Sequence, residues 1–324
     1  MSAHARKDAR RKPRDKGFVL VCVLWVLAIL TVVTVGFGRR AMLENRAAAF
    51  SLDHVQAMFM ARGAVERGIA EIRNKAKIDY LFQQANRTSY AQQWAKPVDM
   101  LKEGGYFSSM GGDEFADDVC EYTIRDECSL ISINAAKEDL IKEIEGISFS
   151  ARRSILRRRA GVPRANVPKQ PFQAIEELLY TQGIGDDDWF GTDRQIGLRD
   201  LLTCWGDGRI NVNTASAEVL SCIPKLGETA IEAIVDYRAG GDGDLRTSDD
   251  KDFRSIDDVG AQTGISGDDI QALKMYCKVD SGFFTITGVA TRRQGKVRAT
   301  CRATVRVQGP NAWVIKWREE FIDA

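Results

Sequence analysis

The sequence predicts an α+β protein: a long N-terminal helix, a repeated helical unit in mid-chain, and an antiparallel sheet completed at the C-terminus. Three observations carry this. No proline interrupts residues 18–77. A pattern that opens at Asn134 returns at Asn213, a period of about 80 residues. After Lys278, apolar and polar residues alternate with the period of two that marks strands.

The N-terminal helix begins behind a basic run. Residues 1–17 hold seven Lys/Arg against Asp8 and Asp15, and twenty uncharged residues follow, Phe18 to Phe37. As a helix that run spans ~30 Å, enough to cross a bilayer. It is longer than the apolar core of a secretory signal, and Arg39-Arg40 follow it where a cleavage site would lie. The positive flank is expected to stay cytoplasmic, leaving a single-pass anchor with the body outside the inner membrane, in the periplasm. The helical pattern continues past the membrane. Phe50, His54, Ala57, Ala61, Ala64, Gly68 and Ile72 recur at three- and four-residue spacing as one small, apolar stripe.

Charge is unevenly placed. The 324-residue chain has net charge +1, but residues 1–40 hold nine basic and two acidic residues, so the body carries about −6. That argues against nucleic-acid binding, which needs a basic face. Of seven cysteines, Cys22 lies in the apolar run; the other six are Cys120, Cys128, Cys204, Cys222, Cys277 and Cys301. An even number in an oxidising compartment allows disulfides, and sequence neighbours suggest Cys120–Cys128, Cys204–Cys222 and Cys277–Cys301. Six cysteines allow fifteen pairings, however, and buried free thiols are the other reading.

Lys16-Gly17-Phe18, followed by an apolar helix that runs on out of the membrane, resembles a type IV prepilin leader. The stretch Gln56 to Ile72 is similar to the amphipathic second half of pseudopilin helices. The resemblance implies cleavage after Gly17 by prepilin peptidase and N-methylation of Phe18. A glycine suits the cut, because backbone without a side chain can lie extended in a protease cleft. Ordinary members carry Glu at the fifth mature position, where it neutralises a neighbouring subunit's terminal ammonium in the membrane. Here that position is Cys22. Lack of the Glu marks the K-type minor pseudopilin of the type II secretion system (the GspK family), a subunit with nothing above it to pair with.

The mid-chain unit occurs twice, at Asn134–Arg159 and Asn213–Gly240. Each copy follows an apolar–polar–apolar–Asn step, Ile131 to Asn134 and Ile210 to Asn213. Each has a matched tail, Pro171–Leu179 and Asp252–Gly260. Asn134 and Thr214 are placed to cap helices. The unit resembles a helix-hairpin-helix (SAM-like) repeat, whose two turn glycines often approach DNA phosphates. Each copy keeps one glycine of the two, in Glu145-Gly146-Ile147-Ser148 and Pro224-Lys225-Leu226-Gly227. The phrase from Ile210 to Leu220, INVNTASAEVL, matches the K-type pseudopilin pattern. Ahead of the first copy, Ala116 to Asn134 reads as a hairpin or two short strands flanking a polar Arg125-Asp126-Glu127. Gly282–Ala290, Val297–Val307 and Ala312–Ile322 read as three antiparallel strands.

The expected organisation is therefore a leader (1–17), a transmembrane and amphipathic helix (18–77), the first strands of a pilin-like part (78–134), an inserted helical domain with two repeats (135–280) and C-terminal strands (281–324). In pilin-like folds the sheet packs on the long helix. The family implies a role at the pseudopilus tip, initiating or capping assembly for export of folded proteins. Its implied partners are the I- and J-type minor pseudopilins, associating through the small-residue stripe, with the major pseudopilin and possible contact with exported cargo. The competing reading is a membrane-tethered DNA-binding protein of the DNA-uptake kind.

Two acidic loops stand out. Residues 240–252 crowd Asp242, Asp244, Asp249, Asp250 and Asp252 beside three glycines, oxygen ligands of the type Ca²⁺ takes, though not at EF-hand spacing. The family's calcium binding adds to that expectation; a solvated loop is the alternative. Asp186-Asp187-Asp188 with Asp193 is a weaker cluster. Only His4 and His54 are present, and no zinc spacing, P-loop or dinucleotide fingerprint occurs, so no enzyme is expected. Trp189, Trp205, Trp313 and Trp317 suit packing.

Overall fold

The computed structural model describes residues 16–82, 87–96, 98–99, 118–161 and 168–323. The leader residues 1–15 and much of the 78–134 segment, including 100–117, lie outside them. The chain divides into two compact units, residues 1–55 and 56–324.

Helix α1 (Lys16–Leu81) is continuous over 66 residues, four beyond the expected end. Alanines and unbranched side chains favour the form throughout its second half. Among the described residues it is the one helix long and apolar enough to cross a membrane. Its side chains from Phe18 to Phe37, Trp25 and Leu30 among them, are exposed, as a lipid-facing segment requires.

From Gln56 onward one face of α1 is buried. Strands β1 (Val98–Asp99), β2 (Val119–Asp126), β9 (Phe283–Arg292), β10 (Val297–Gln308) and β11 (Asn311–Asp323) form an antiparallel sheet in the order β1-β2-β9-β10-β11. The last three follow the alternation read from sequence within about two residues at each end. Gly309, at φ +58°, and Pro310 make the two-residue loop between β10 and β11. Tyr122, Ile124, Phe284, Ile286, Ala299, Cys301 and Val305 face α1 in one hydrophobic cluster.

The small-residue stripe serves this contact. Ala57, Ala61 and Ala64 are fully buried in the same cluster. A Cβ at Gly68 would stand 2.7 Å from the Ile286 side chain, and one at Gly288 would collide with the Ala61 carbonyl oxygen. The stripe lets helix and sheet backbones approach closely. From Ala57 to Ile72 the stripe is therefore spent inside the chain and is not the open association surface that the resemblance implied. Exposed apolar residues of α1 beyond its membrane-length run include Leu52, Val55 and Phe59.

Between β2 and β9 the chain leaves the sheet and builds the two repeats. The first contains β3 (Ile131–Ser132), α2 (Glu138–Lys142), α3 (Phe149–Ala160), α4 (Asp186–Phe190), the pair β4 (Gly191–Thr192) and β5 (Gln195–Ile196), α5 (Leu198–Leu201) and β6 (Leu202–Thr203). The second contains β7 (Ile210–Asn211), α6 (Ala217–Ser221), α7 (Glu228–Arg238), α8 (Ile256–Thr263), α9 (Gly267–Tyr276) and β8 (Cys277–Lys278). Each closes on itself by a short parallel pair, β3 with β6 and β7 with β8. Their apolar residues join in one cluster from Leu130 to Cys277.

Three local expectations are corrected. Of the two readings of Ala116 to Asn134, the pair of strands stands and the hairpin does not: β2 runs to Asp126, a 3-10 turn follows at Glu127–Ser129, and β3 pairs with β6 instead of β2. The Arg125-Asp126-Glu127 interruption is not a solvated turn, because Asp126 and Glu127 are buried. Nor do Asn134 and Thr214 cap helices; Ser148 and Ser216 do, accepting from Ala151 N and Val219 N.

None of the seven cysteines is in a disulfide, and the six outside the apolar run are buried. The proposed Cys120–Cys128 bridge fails on distance: six residues of extended strand separate Cys120 from Asp126, about 20 Å, against the ~6 Å a disulfide spans. Cys277 and Cys301 belong to different hydrophobic clusters. Cys204 and Cys222 share a cluster without bonding.

Because Ala61 sits against the sheet, Ala61→Leu is expected to cost about 1–3 kcal/mol by overpacking, lowering the thermal midpoint of the detergent-solubilised protein. Phe59→Ala, at a side chain 63% exposed, is expected to change stability by less than about 0.5 kcal/mol. Equal midpoints for the two variants would refute the assignment of faces.

Candidate functional site

At the N-terminal end, Gly17 and Phe18 lie in the first turn of α1, and Cys22 is exposed one turn further on. No carboxylate stands in the apolar part of the helix.

The two repeats use one hydrogen-bonding scheme. Asn134 Nδ2 donates to the carbonyls of Phe172 (2.8 Å) and Cys204 (2.9 Å), while its Oδ1 accepts from Phe172 N (2.8 Å). Asn213 does the same in the second copy. Its Nδ2 donates to Phe253 O (2.9 Å) and Val279 O (3.5 Å), and its Oδ1 accepts from Phe253 N (2.8 Å). Each asparagine thus pins the matched tail and the closing strand to the start of its unit. An arginine completes each clamp: Arg159 Nη2 donates to Ala136 O (2.8 Å), and Arg238 Nη1 to Ala215 O (2.8 Å) and Val212 O (2.7 Å). Arg238 is 2% exposed, and burial pushes its guanidinium down to about 10. It remains charged at neutral pH.

Asp126, the last residue of β2, ties this scheme to the sheet. Its Oδ2 accepts from Thr214 Oγ1 (2.6 Å), Ser281 Oγ (2.6 Å) and Asn211 Nδ2 (2.9 Å), and its Oδ1 from Cys128 N (2.8 Å). Asn211 Nδ2 also donates to Thr88 O (2.9 Å). Beside it, Glu127 accepts from Thr203 Oγ1, at the end of the first copy. Burial raises the Asp126 carboxyl above its ordinary range, against the lowering pull of Ser281, Thr214 and Asn211. Motif reading passed Asp126 over, although a signal was present: Cys120, Tyr122, Ile124 and Asp126 alternate in register, which places all four on the inner face.

The hairpin turns are equivalent between copies. Gly146 (φ +78°) and Lys225 (φ +66°) occupy matching left-handed positions, so the second copy holds a lysine where glycine is unstrained. In the second copy a turn backbone N–H that a phosphate would take is bonded by the protein's own carboxylate. Asp269 Oδ1 accepts from Gly227 N (2.7 Å) at the start of α7. In the first copy, Asp188 and Gln195 flank Gly146. Residues selected as the weaker acidic cluster are therefore distributed structurally: Asp188 Oδ2 accepts from Gly185 N (2.9 Å) at the N-terminus of α4.

In the 240–252 loop the five aspartates do not converge. Asp249 accepts from Gly241 N (2.6 Å), Asp242 N (3.2 Å) and Thr247 Oγ1 (2.7 Å); Asp242 accepts from Asp244 N (2.9 Å); Asp250 accepts from Arg246 N (2.7 Å). Asp252 turns away, to Arg87 (3.2 Å) and Ser89 Oγ (3.0 Å). Among the described residues no group of three or more His, Cys, Asp or Glu side chains is arranged to hold a metal ion. As they stand, the carboxylates brace the loop.

Asp126→Ala is expected to cost at least about 3 kcal/mol, because it strands several buried donors at once. Asp126→Asn gives the pH dependence. The folded-state value lies above that of the unfolded carboxyl. Stability from this group is therefore fullest in acid, below the unfolded value, and is lost as pH rises through the folded one. Urea titrations from about pH 4 upward should show the gap between wild type and Asp126→Asn narrowing as pH rises; a widening gap would contradict the raised value.

Residues 210–280 match the family described as "Type II secretion system (T2SS), protein K". This segment is the second repeat, with the asparagine clamp and two of the residues that meet Asp126, Asn211 and Thr214. No curated protein matches the chain. Its fold is similar to a chain in the crystal structure of the GspK-GspI-GspJ complex from the enterotoxigenic Escherichia coli type 2 secretion system. The TM-score is 0.54 at 15% identity, over 85% of this chain and 99% of that one. The chain thus carries a segment at 210–280 that matches protein K of type II secretion, set in a fold similar to that of a chain of the GspK-GspI-GspJ complex and preceded by an apolar N-terminal helix.

Proposed function

We propose that the chain stands at the tip of the type II secretion pseudopilus and initiates or caps its assembly. The observation that carries this reading is the insertion of the protein K segment between adjacent strands of the sheet, β2 and β9. Both repeats enlarge one side of a subunit that would otherwise be a helix and a sheet. Such bulk suits a position with no subunit stacked above. Cys22 supports the same place, since a tip subunit has no neighbouring ammonium above it to neutralise. The role is mechanical and calls for no catalytic residue.

In this reading the apolar helix anchors the chain in the inner membrane, with the body in the periplasm. Prepilin peptidase removes residues 1–17, and Phe18 becomes the methylated N-terminus. The I- and J-type minor pseudopilins are its first partners and the major pseudopilin follows; exported cargo meets the tip. The solved relative is itself a complex of GspK with GspI and GspJ. Since the alanine stripe is buried, association falls to exposed apolar side chains of α1 such as Phe59.

Intact mass of the membrane-extracted protein, from cells with and without the peptidase, tests the processing. Loss of residues 1–17 plus one methyl group only where the peptidase is present is expected, and an uncut chain in both strains would overturn the reading. Phe59→Ala should reduce co-purification of the I and J types at unchanged stability. A label on the body should mark one end of isolated pseudopili; label along the whole length would exclude the tip.

Calcium at residues 240–252 is part of the same proposal, with a cost set by the structure. The ion would have to draw Asp242, Asp249 and Asp250 off their backbone partners, and Asp252 off Arg87. Titration calorimetry is expected to show weak binding that Asp244→Ala removes; no heat from the wild type ends the idea.

A further inference from the structure

The sheet has a second face, turned away from α1. On β10 the residues Ala299, Cys301, Ala303 and Val305 pack toward the helix. Arg298, Arg302 and Arg306 lie on the opposite face and are not buried. Four residues of strand separate each from the next, about 13 Å. Between this outer face and the first repeat lies a cleft of about 510 Å³, within the size range of ligand and peptide sites. Thr285 and Thr304 lie in its floor, their hydroxyls 3.2 Å apart. Trp205 forms part of a wall, with Lys316 Nζ 6.0 Å from its ring.

Three of the cations lining the cleft are neutralised within the chain: Arg125 by Glu127 (2.8 Å), Arg199 by Asp200 (3.3 Å) and Arg318 by Glu176 (3.4 Å). Two are not. Among the described residues the Arg302 guanidinium has neither a hydrogen bond nor an ion pair, and Lys316 Nζ donates only to a carbonyl, that of Gln173 (2.8 Å). The cleft thus presents a guanidinium fork and an ammonium over a hydroxyl floor, with an aromatic wall. A guanidinium takes a carboxylate bidentately, and an indole face covers the methylenes of a Glu side chain. The anion must be short. Residues 210–279 hold seven basic and thirteen acidic residues, and a long polyanion reaching past the cleft would meet that field.

We propose that this cleft binds a short acidic segment of a partner protein, with Arg302 and Lys316 taking its carboxylates. The proposal needs only the cleft and does not rest on the place of the chain in a pseudopilus. The test uses the full-length protein in a neutral detergent. A capped hexapeptide of alternating Glu and Ala is titrated beside its Gln counterpart, with glutarate as the free dicarboxylate. The Glu peptide is expected to bind, and the Gln peptide at least about tenfold more weakly. Arg302→Ala should lower affinity for the Glu peptide about tenfold or more without moving the thermal midpoint, as loss of a charged bidentate pair requires. Arg298→Ala and Arg306→Ala, outside the cleft, should each change it less than about threefold. Equal binding of the Gln peptide, an unchanged affinity in Arg302→Ala, or an equal loss in Arg298→Ala would overturn the proposal. Glutarate binding as tightly as the peptide would overturn the peptide as occupant.

Discussion

The carboxylate of Asp126 accepts three hydrogen bonds from parts of the chain that are distant in sequence, beside a local one from Cys128 N, and the architecture depends on that convergence. β2 and β9 are neighbours in the sheet, with Asp126 opposite Phe284. The chain must therefore leave the sheet and return to it at almost one place, however much is inserted between. Asp126 sits at the exit, Ser281 at the return, and Asn211 and Thr214 at the start of the second repeat. One buried acceptor satisfies a donor from each. A buried carboxylate without donors would be costly; with four it fixes how the insertion meets the sheet.

Inside the insertion the same economy is repeated. Each copy of the helical unit is closed by an asparagine that holds its tail through both backbone groups of a phenylalanine, Phe172 or Phe253, and by a two-residue parallel pair. The copies diverge where the ancestral-looking hairpin would face a phosphate. There Asp269 and Asp188 stand near the turn, and their charge opposes another anion. A unit of this kind acts as a packed scaffold, and the second copy is the segment that matches protein K of type II secretion.

The surfaces follow a division of labour. The apolar length of α1 is exposed over the span that a bilayer would cover. The stripe of alanines and glycine beyond it is consumed by the chain's own sheet, and the outer face of that sheet carries arginines in a protein whose second repeat is acidic.

Much of this was legible in the sequence. The extent of α1, the three C-terminal strands, the paired repeats and their matched tails could all be read from proline placement, period-two alternation and internal similarity. These are local properties, set by a few neighbouring residues. What surrounds a residue was not legible. The stripe from Ala57 to Gly68 has the same spacing whether it meets another subunit or β9, and only the tertiary structure places Gly288 beneath Ala61. The polar run at Arg125-Asp126-Glu127 reads as a turn until Thr214 and Ser281 are brought to it from 88 and 155 residues away. Near-neighbour cysteines look bridgeable until a straight strand holds Cys120 away from Cys128. Period and propensity act over short range, and they were enough to read the long helix, the C-terminal strands and the repeats. The tertiary structure alone decided which faces are spent inside the molecule and which polar groups are buried, because those depend on long-range pairs that no local pattern contains.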